Sequence, residues 1–149
     1  MEAYRKIAEE NQRRGREIIA ETKLVESWEA IGAQVNLIGS LSTGLMMKKL
    51  DIDMHVYTDT LSVQESFRAA ALIASHPGIT RIEYTNLIDT EEECIEWHAA
   101  YRDRDGRMWK MDMIHIRRGS AYDGFAERMA SRIGAVLTDE TRDTILRLK

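Results

Sequence analysis

Two alternating segments joined by a tight turn constrain this chain more than any other feature. Ile95, Trp97, Ala99 and Tyr101 alternate with Glu96, His98, Ala100 and Arg102; Asp105-Gly106 follows, and an apolar run returns from Met108 to Ile116. Alternation with period two marks a strand, and Asp-Gly is a favoured two-residue hairpin turn. Counting outward from that turn places Asp112 opposite Ala99, Lys110 opposite Tyr101 and Ile114 opposite Trp97. A chain with such a hairpin must build a sheet and cover its apolar face.

The remaining segments supply strands and covering helices. Val35-Asn36-Leu37-Ile38 is a short apolar strand ending at Gly39. Ile52 to Tyr57 is a second, with Ile52, Met54 and Val56 on one face and Asp53, His55 and Tyr57 on the other. Residues from about Glu2 to Ile31 read as helix, with Leu24, Trp28 and Ile31 at helical spacing and Gly15 as the expected break. Leu41 to Lys49 reads as a short helix. Ser62-Val63-Gln64-Glu65 is a capping-box pattern that opens a helix with Phe67, Ala70, Ala71 and Ala74 on one stripe, and His76-Pro77-Gly78 stops it. A strand follows from Thr80 to Leu87, then a solvated acidic turn with Asp89, Glu91, Glu92 and Glu93. Phe125, Met129 and Ile133 recur in steps of four, and Thr138 caps a last helix. With 149 residues the chain suits one core. The expectation is an α+β fold, a mixed sheet of about five strands with flanking helices, forming a single domain over residues 1–149.

Composition narrows the partners. The formal net charge is −4, and the basic residues cluster only as Arg13-Arg14, Lys48-Lys49 and Arg117-Arg118. A long nucleic-acid partner is disfavoured, because gripping a phosphate backbone calls for a basic stripe. A small anionic ligand needs only a local positive pocket. Cys94 is the single cysteine, so no internal disulfide forms. No apolar run approaches the roughly 18–20 residues that cross a bilayer, and the N-terminus leads into charged residues, so no membrane partner is expected. A cytoplasmic location follows by default.

Three features carry chemistry. An apolar strand runs into Gly39-Ser40 and then Leu41-Ser42-Thr43-Gly44, a strand-to-helix turn whose amides and hydroxyls suit phosphate oxygens. Asp51 and Asp53 lie two residues apart in a strand, so both carboxylates share one face and repel unless a hard cation such as Mg²⁺ joins them. Asp112 sits within Trp109-Lys110-Met111-Asp112-Met113-Ile114-His115-Ile116, where a carboxylate is costly unless paired or bound to metal. Ala99 opposite it would leave room for an ion or substrate. Each feature also has an ordinary reading: a plain Gly-Ser turn, a solvated strand end, and an Asp112–Lys110 ion pair.

Taken together, the apolar strand, Gly39-Ser40, the Asp51/Asp53 strand ten residues on, and a later strand with a lone Asp112 resemble the nucleotidyltransferase superfamily. That superfamily includes DNA polymerase β, the aminoglycoside and lincosamide nucleotidyltransferases and the minimal nucleotidyltransferases. The resemblance covers Val35 to Tyr57 and Met108 to Ile116. It implies that Gly39 and Ser40 hold the terminal phosphates of a nucleoside triphosphate such as ATP. It further implies that Asp51 and Asp53 bind two Mg²⁺ ions, and that Asp112 shares one ion and helps deprotonate the acceptor hydroxyl. The implied reaction moves a nucleoside monophosphate from the triphosphate to a hydroxyl of a small molecule or protein. The larger antibiotic-modifying relatives add a helical domain for the acceptor, so here the acceptor site is expected on the N-terminal helix or between the subunits of a homodimer.

Other residues are weighed against plainer roles. Ser42 either adds a hydroxyl to the phosphate turn or caps a helix. Lys110, by its face, is the preferred cation for triphosphate, ahead of Lys48 and Lys49. His55 and Tyr57 are read as packed strand positions, Trp28, Trp97 and Trp109 as core, and Cys94 as no catalytic thiol. His98 and His115 have no metal-ligand spacing. The alternative function is a catalytically silent nucleotide-binding or partner-binding module, for example a toxin–antitoxin component, that keeps the fold.

Overall fold

The computed structural model describes residues 2–38 and 50–120. Their elements run α1 (Glu2–Glu21), α2 (Leu24–Glu29), β1 (Gln34–Ile38), β2 (Asp51–Thr58), α3 (Val63–Ala74), β3 (Ile79–Leu87), β4 (Cys94–Arg102) and β5 (Met108–Arg117). The five strands form one mixed sheet in the order β1-β2-β5-β4-β3. Only β2 and β5 run parallel; the other three pairings are antiparallel. The expected α+β class and five-strand mixed sheet are therefore observed. The helix expected from Leu41 to Lys49 and those expected around Phe125 to Ile133 and after Thr138 lie outside the described residues.

All three helices contribute to a core on one face of the sheet. Ile18, Leu24, Trp28 and Ile73 meet Ile52, Met54, Val56, Ile95, Trp97, Trp109, Met111 and Met113 there. All three tryptophans are buried, as their positions in the sequence suggest. In α1 the buried positions Ala8, Asn11, Gly15, Ile18 and Ile19 recur at three- and four-residue steps. Gly15 does not break this helix. It is buried, and the break falls at Lys23, whose φ of 53° is left-handed. Just before it, the Thr22 hydroxyl bonds back to the Ile18 carbonyl at 2.8 Å. In α3 the Ser62 side chain caps the Glu65 amide as expected. Its buried stripe, however, is Ser66, Ala69, Ala70 and Ile73, while Phe67 stays 45% exposed. Pairing Ser66 with buried polar groups turns the helix away from the predicted Phe67 stripe.

Those polar groups form a directed chain through the core. Trp97 Nε1 donates to Ser66 Oγ at 2.8 Å, and Ser66 donates to His115 Nδ1 at 2.9 Å. His115 Nε2 then donates to Thr58 Oγ1 at 2.7 Å, and Thr58 donates to the Thr60 carbonyl at 2.6 Å. The Thr60 carbonyl can only accept, so it takes the Thr58 hydroxyl proton and Thr58 must accept from His115, which requires Nε2–H; in the neutral ring Nδ1 then accepts from Ser66. Burial lowers the His115 pKa to about 4, which keeps the ring neutral.

The hairpin differs from its expected form by one residue. Asp103 and Gly106 close a type I turn through a 3.0 Å bond from the Gly106 amide to the Asp103 carbonyl, and Gly106 takes a left-handed φ of 80°. The Asp103 amide bonds the Arg107 carbonyl at 2.9 Å, so the loop is Arg104-Asp105-Gly106 rather than Asp105-Gly106. The Asp103 side chain is fully buried and accepts from the amides of Asp105 and Arg107 and from Trp109 Nε1. Burial opposes its charge, but these hydrogen bonds outweigh it and hold the carboxyl below its usual range. One extra loop residue shifts the pairing by one. Asp112 stands opposite His98 and not Ala99, Lys110 opposite Ala100, and Ile114 opposite Glu96.

Ser66 is fully buried, accepting from Trp97 and donating to His115. Ser66→Ala should strand the Trp97 indole N–H and the His115 ring together, costing about 2–4 kcal/mol of stability in urea titration. A cost under about 0.5 kcal/mol would show that the chain does not support the core.

Candidate active site

The second face of the sheet divides into an apolar and a polar part. Tyr57, Cys94 and Ile116 are buried together with Leu87 and Ile114 packed beside them. Next to them, the same strands present Asp51 and Asp53 from β2, Lys110 and Asp112 from β5, and Glu96 and His98 from β4. His55 and Tyr57, 5% and 3% exposed, are packed strand positions as read from the sequence.

Parallel pairing of β2 with β5 assembles the carboxylates. Asp53 is in register with Asp112, and Asp51 with Lys110. A 2.9 Å bond from the Lys110 amide to the Leu50 carbonyl continues the ladder one residue before β2 and so fixes its start. Ile38, at the end of β1, pairs with Asp53. The chain therefore leaves β1 beside the acidic pair on its way to Gly39 and Ser40. Gly39, Ser40 and Ser42, together with Lys48 and Lys49, lie outside the described residues.

Electrostatics single out Asp53. Burial, then a hydrogen bond and charge from Asp112, then the charge of Asp51 push its carboxyl from the ordinary 3.8 up to about 7, with Lys110 acting in the other direction. Two carboxylates in adjacent strands can avoid repulsion by sharing a proton or by sharing a cation. Asp112 has two further partners: His98 Nδ1 lies 2.6 Å from its Oδ1, and Lys110 Nζ lies 3.6 Å from its Oδ2. The Asp112–Lys110 ion pair anticipated as the plain reading is thus present, but Lys110 is 61% exposed and its contact is long. His98 also has Nε2 at 3.4 Å from Glu96 Oε2. Its pKa is raised, first by the hydrogen bond to Asp112, against a smaller loss from burial.

His98 is the residue that sequence reasoning passed over. The signal was present, since Asp at the first and Gly at the fourth position of Asp103-Arg104-Asp105-Gly106 mark a type I turn. That turn gives the register that sets His98 against Asp112.

The donor set suits a hard divalent cation. Asp51, Asp53 and Asp112 offer only oxygen ligands, and burial with the neighbouring carboxylates favours a proton on Asp53 that a cation could replace. Among the described residues, the group whose ligand atoms all lie within 4.8 Å of one another is instead Glu92, Cys94 and Glu96. Burial, with the charges of Glu96 and Glu92, pushes the Cys94 thiol up to about 12, far from the thiolate that a metal requires. The aspartates are the better candidates.

The fold has counterparts among solved structures. A MgGTP-bound structure of the Cid1 poly(U) polymerase superposes with a TM-score of 0.66 at 15% identity, covering 90% of this chain and 40% of that one. A cytoplasmic RNA terminal U-transferase superposes at 0.56 and 15% identity, covering 89% and 38%. The GLD-2/RNP-8 complex gives 0.60 at 10% identity, covering 85% and 42%. The chain has the nucleotidyltransferase fold. It spans about two-fifths of the length of these structures. No protein-family model and no curated protein matches the sequence.

The raised Asp53 pKa has a thermodynamic consequence. In the metal-free protein the folded chain keeps the Asp53 proton while the unfolded chain loses it, so this group lowers stability as pH rises from about 4 to about 7. His115 contributes with the opposite sign over most of that range, from its folded value of about 4 up to its ordinary 6.5, so comparing variants isolates Asp53. Asp53→Asn should gain stability relative to wild type across that window, by roughly 2–4 kcal/mol at pH 8. Mg²⁺ should then stabilise wild type but not the variant. Parallel pH profiles for the two proteins would contradict this account.

Proposed function

We propose that this protein transfers a nucleoside monophosphate from a nucleoside triphosphate to a hydroxyl group, with divalent metal bound by Asp51, Asp53 and Asp112. The reading is carried by one observation: the β2–β5 register sets Asp53 beside Asp112, with the Asp53 carboxyl pushed up to about 7. When bound, Mg²⁺ would supply positive charge to the attacking and leaving oxygens of the phosphoryl group. Gly39, Ser40 and Ser42 hold the triphosphate on this reading. Lys110, exposed at the site's edge, adds charge toward the phosphates, and Asp112 accepts the proton of the acceptor hydroxyl.

The net charge of −4 favours a small molecule or a protein as acceptor. The RNA end named for the terminal U-transferase is the competing class. A pyrophosphate-release assay with Mg²⁺, each of ATP, CTP, GTP and UTP, and acceptors of all three classes distinguishes them. Pyrophosphate should appear with at least one pair. Asp51→Asn and Asp53→Asn should lower the rate at least about 100-fold while the protein stays folded. No release under any pairing, with tight nucleotide binding retained, would favour a silent binding module instead.

A further inference from the structure

Asp112 has, besides its hydrogen bond with Asp53, a short contact to a histidine on the neighbouring strand. Its Oδ1 is taken by His98 Nδ1 at 2.6 Å. A carboxylate offers only acceptors there, so Nδ1 carries the proton. The far nitrogen of the same ring is 3.4 Å from Glu96 Oε2, so the ring is held at both ends. His98 stands directly across from Asp112 on β4, and its other cross-strand neighbour is Glu83 on β3. With Oδ1 engaged by His98, the Oδ2 atom has only the long 3.6 Å contact with the exposed Lys110, and Asp53 is the register partner of Asp112 on β2.

We infer that His98 is a positioning residue, one that fixes Asp112 so that a single oxygen is presented to a divalent cation shared with Asp53. The inference rests on the proposed metal site and adds a residue to it. A freely rotating carboxylate would alternate between one- and two-oxygen ligation. His98 removes that freedom, and Glu96 in turn holds His98. Supporting residues of this kind commonly change metal affinity 10- to 100-fold when removed.

The side chain of asparagine can place its amide N–H near the position of Nδ1, whereas glutamine reaches toward Nε2. This gives a test separable from folding. Mn²⁺ affinity is measured by electron paramagnetic resonance titration for wild type, His98→Asn, His98→Gln and His98→Ala, with thermal melts as the folding control. His98→Ala and His98→Gln should bind Mn²⁺ about 10- to 100-fold more weakly, and His98→Asn should recover most of the loss. Wild-type affinity in His98→Ala, or equal loss in the asparagine and glutamine variants, overturns the positioning role alone. Failure of wild-type protein to bind Mn²⁺, or an unchanged affinity in Asp53→Asn, overturns the metal site and this inference with it.

Discussion

Repulsion between Asp53 and Asp112 is the constraint around which this face of the molecule is organised. Nothing local to either strand requires the two to meet. They meet because β2 and β5 are parallel neighbours, and parallel pairing needs a long crossover, supplied here by α3, β3 and β4. Once the strands are paired, the repulsion must be relieved. Protonation of Asp53, the hydrogen bond from His98 and the long contact with Lys110 share that role in the metal-free protein. A site that holds negative charge under such strain is suited to exchanging a proton for a cation.

The apolar side of the sheet makes that strain tolerable. Ile52 and Met54 flank Asp53 in sequence yet point to the opposite face, where both are fully buried. Met111 and Met113 do the same for Asp112. Sliding β2 along β5 would separate the aspartates only by withdrawing these side chains from contact with Trp28 and Trp97. Core packing therefore opposes the relief that electrostatics would otherwise drive.

Much of this was legible in the sequence because it rests on period-two patterning. Alternation identified β2, β4 and β5, put Asp51 and Asp53 on one face, and separated them from Ile52. It also placed Lys110 on the Asp112 side. The hairpin register was misread because Asp105-Gly106 satisfies a two-residue turn as well as the end of a three-residue one. Only the burial of Asp103, with its acceptors turned to the loop amides and Trp109, decides between them. The break at Lys23 and the Ser66 stripe of α3 were hidden for a related reason. Both depend on burial that no local window contains: Gly15 is buried within α1, and Ser66 bonds Trp97 and His115.

The buried chain from Trp97 to Thr60 has a further consequence. It joins β4, α3, β5 and the end of β2 through groups whose direction of donation is set by the Thr60 carbonyl and the neutral His115 ring. Apolar contacts among these elements would tolerate several near-equivalent packings, since methionine and isoleucine adapt to small shifts. The polar chain does not: moving any one element by a residue would leave an indole, an imidazole or a hydroxyl without its complement inside the core. It therefore works as a lock with a single key position. By admitting one alignment of four elements, it carries the geometric accuracy needed on the acidic face through the full thickness of the sheet.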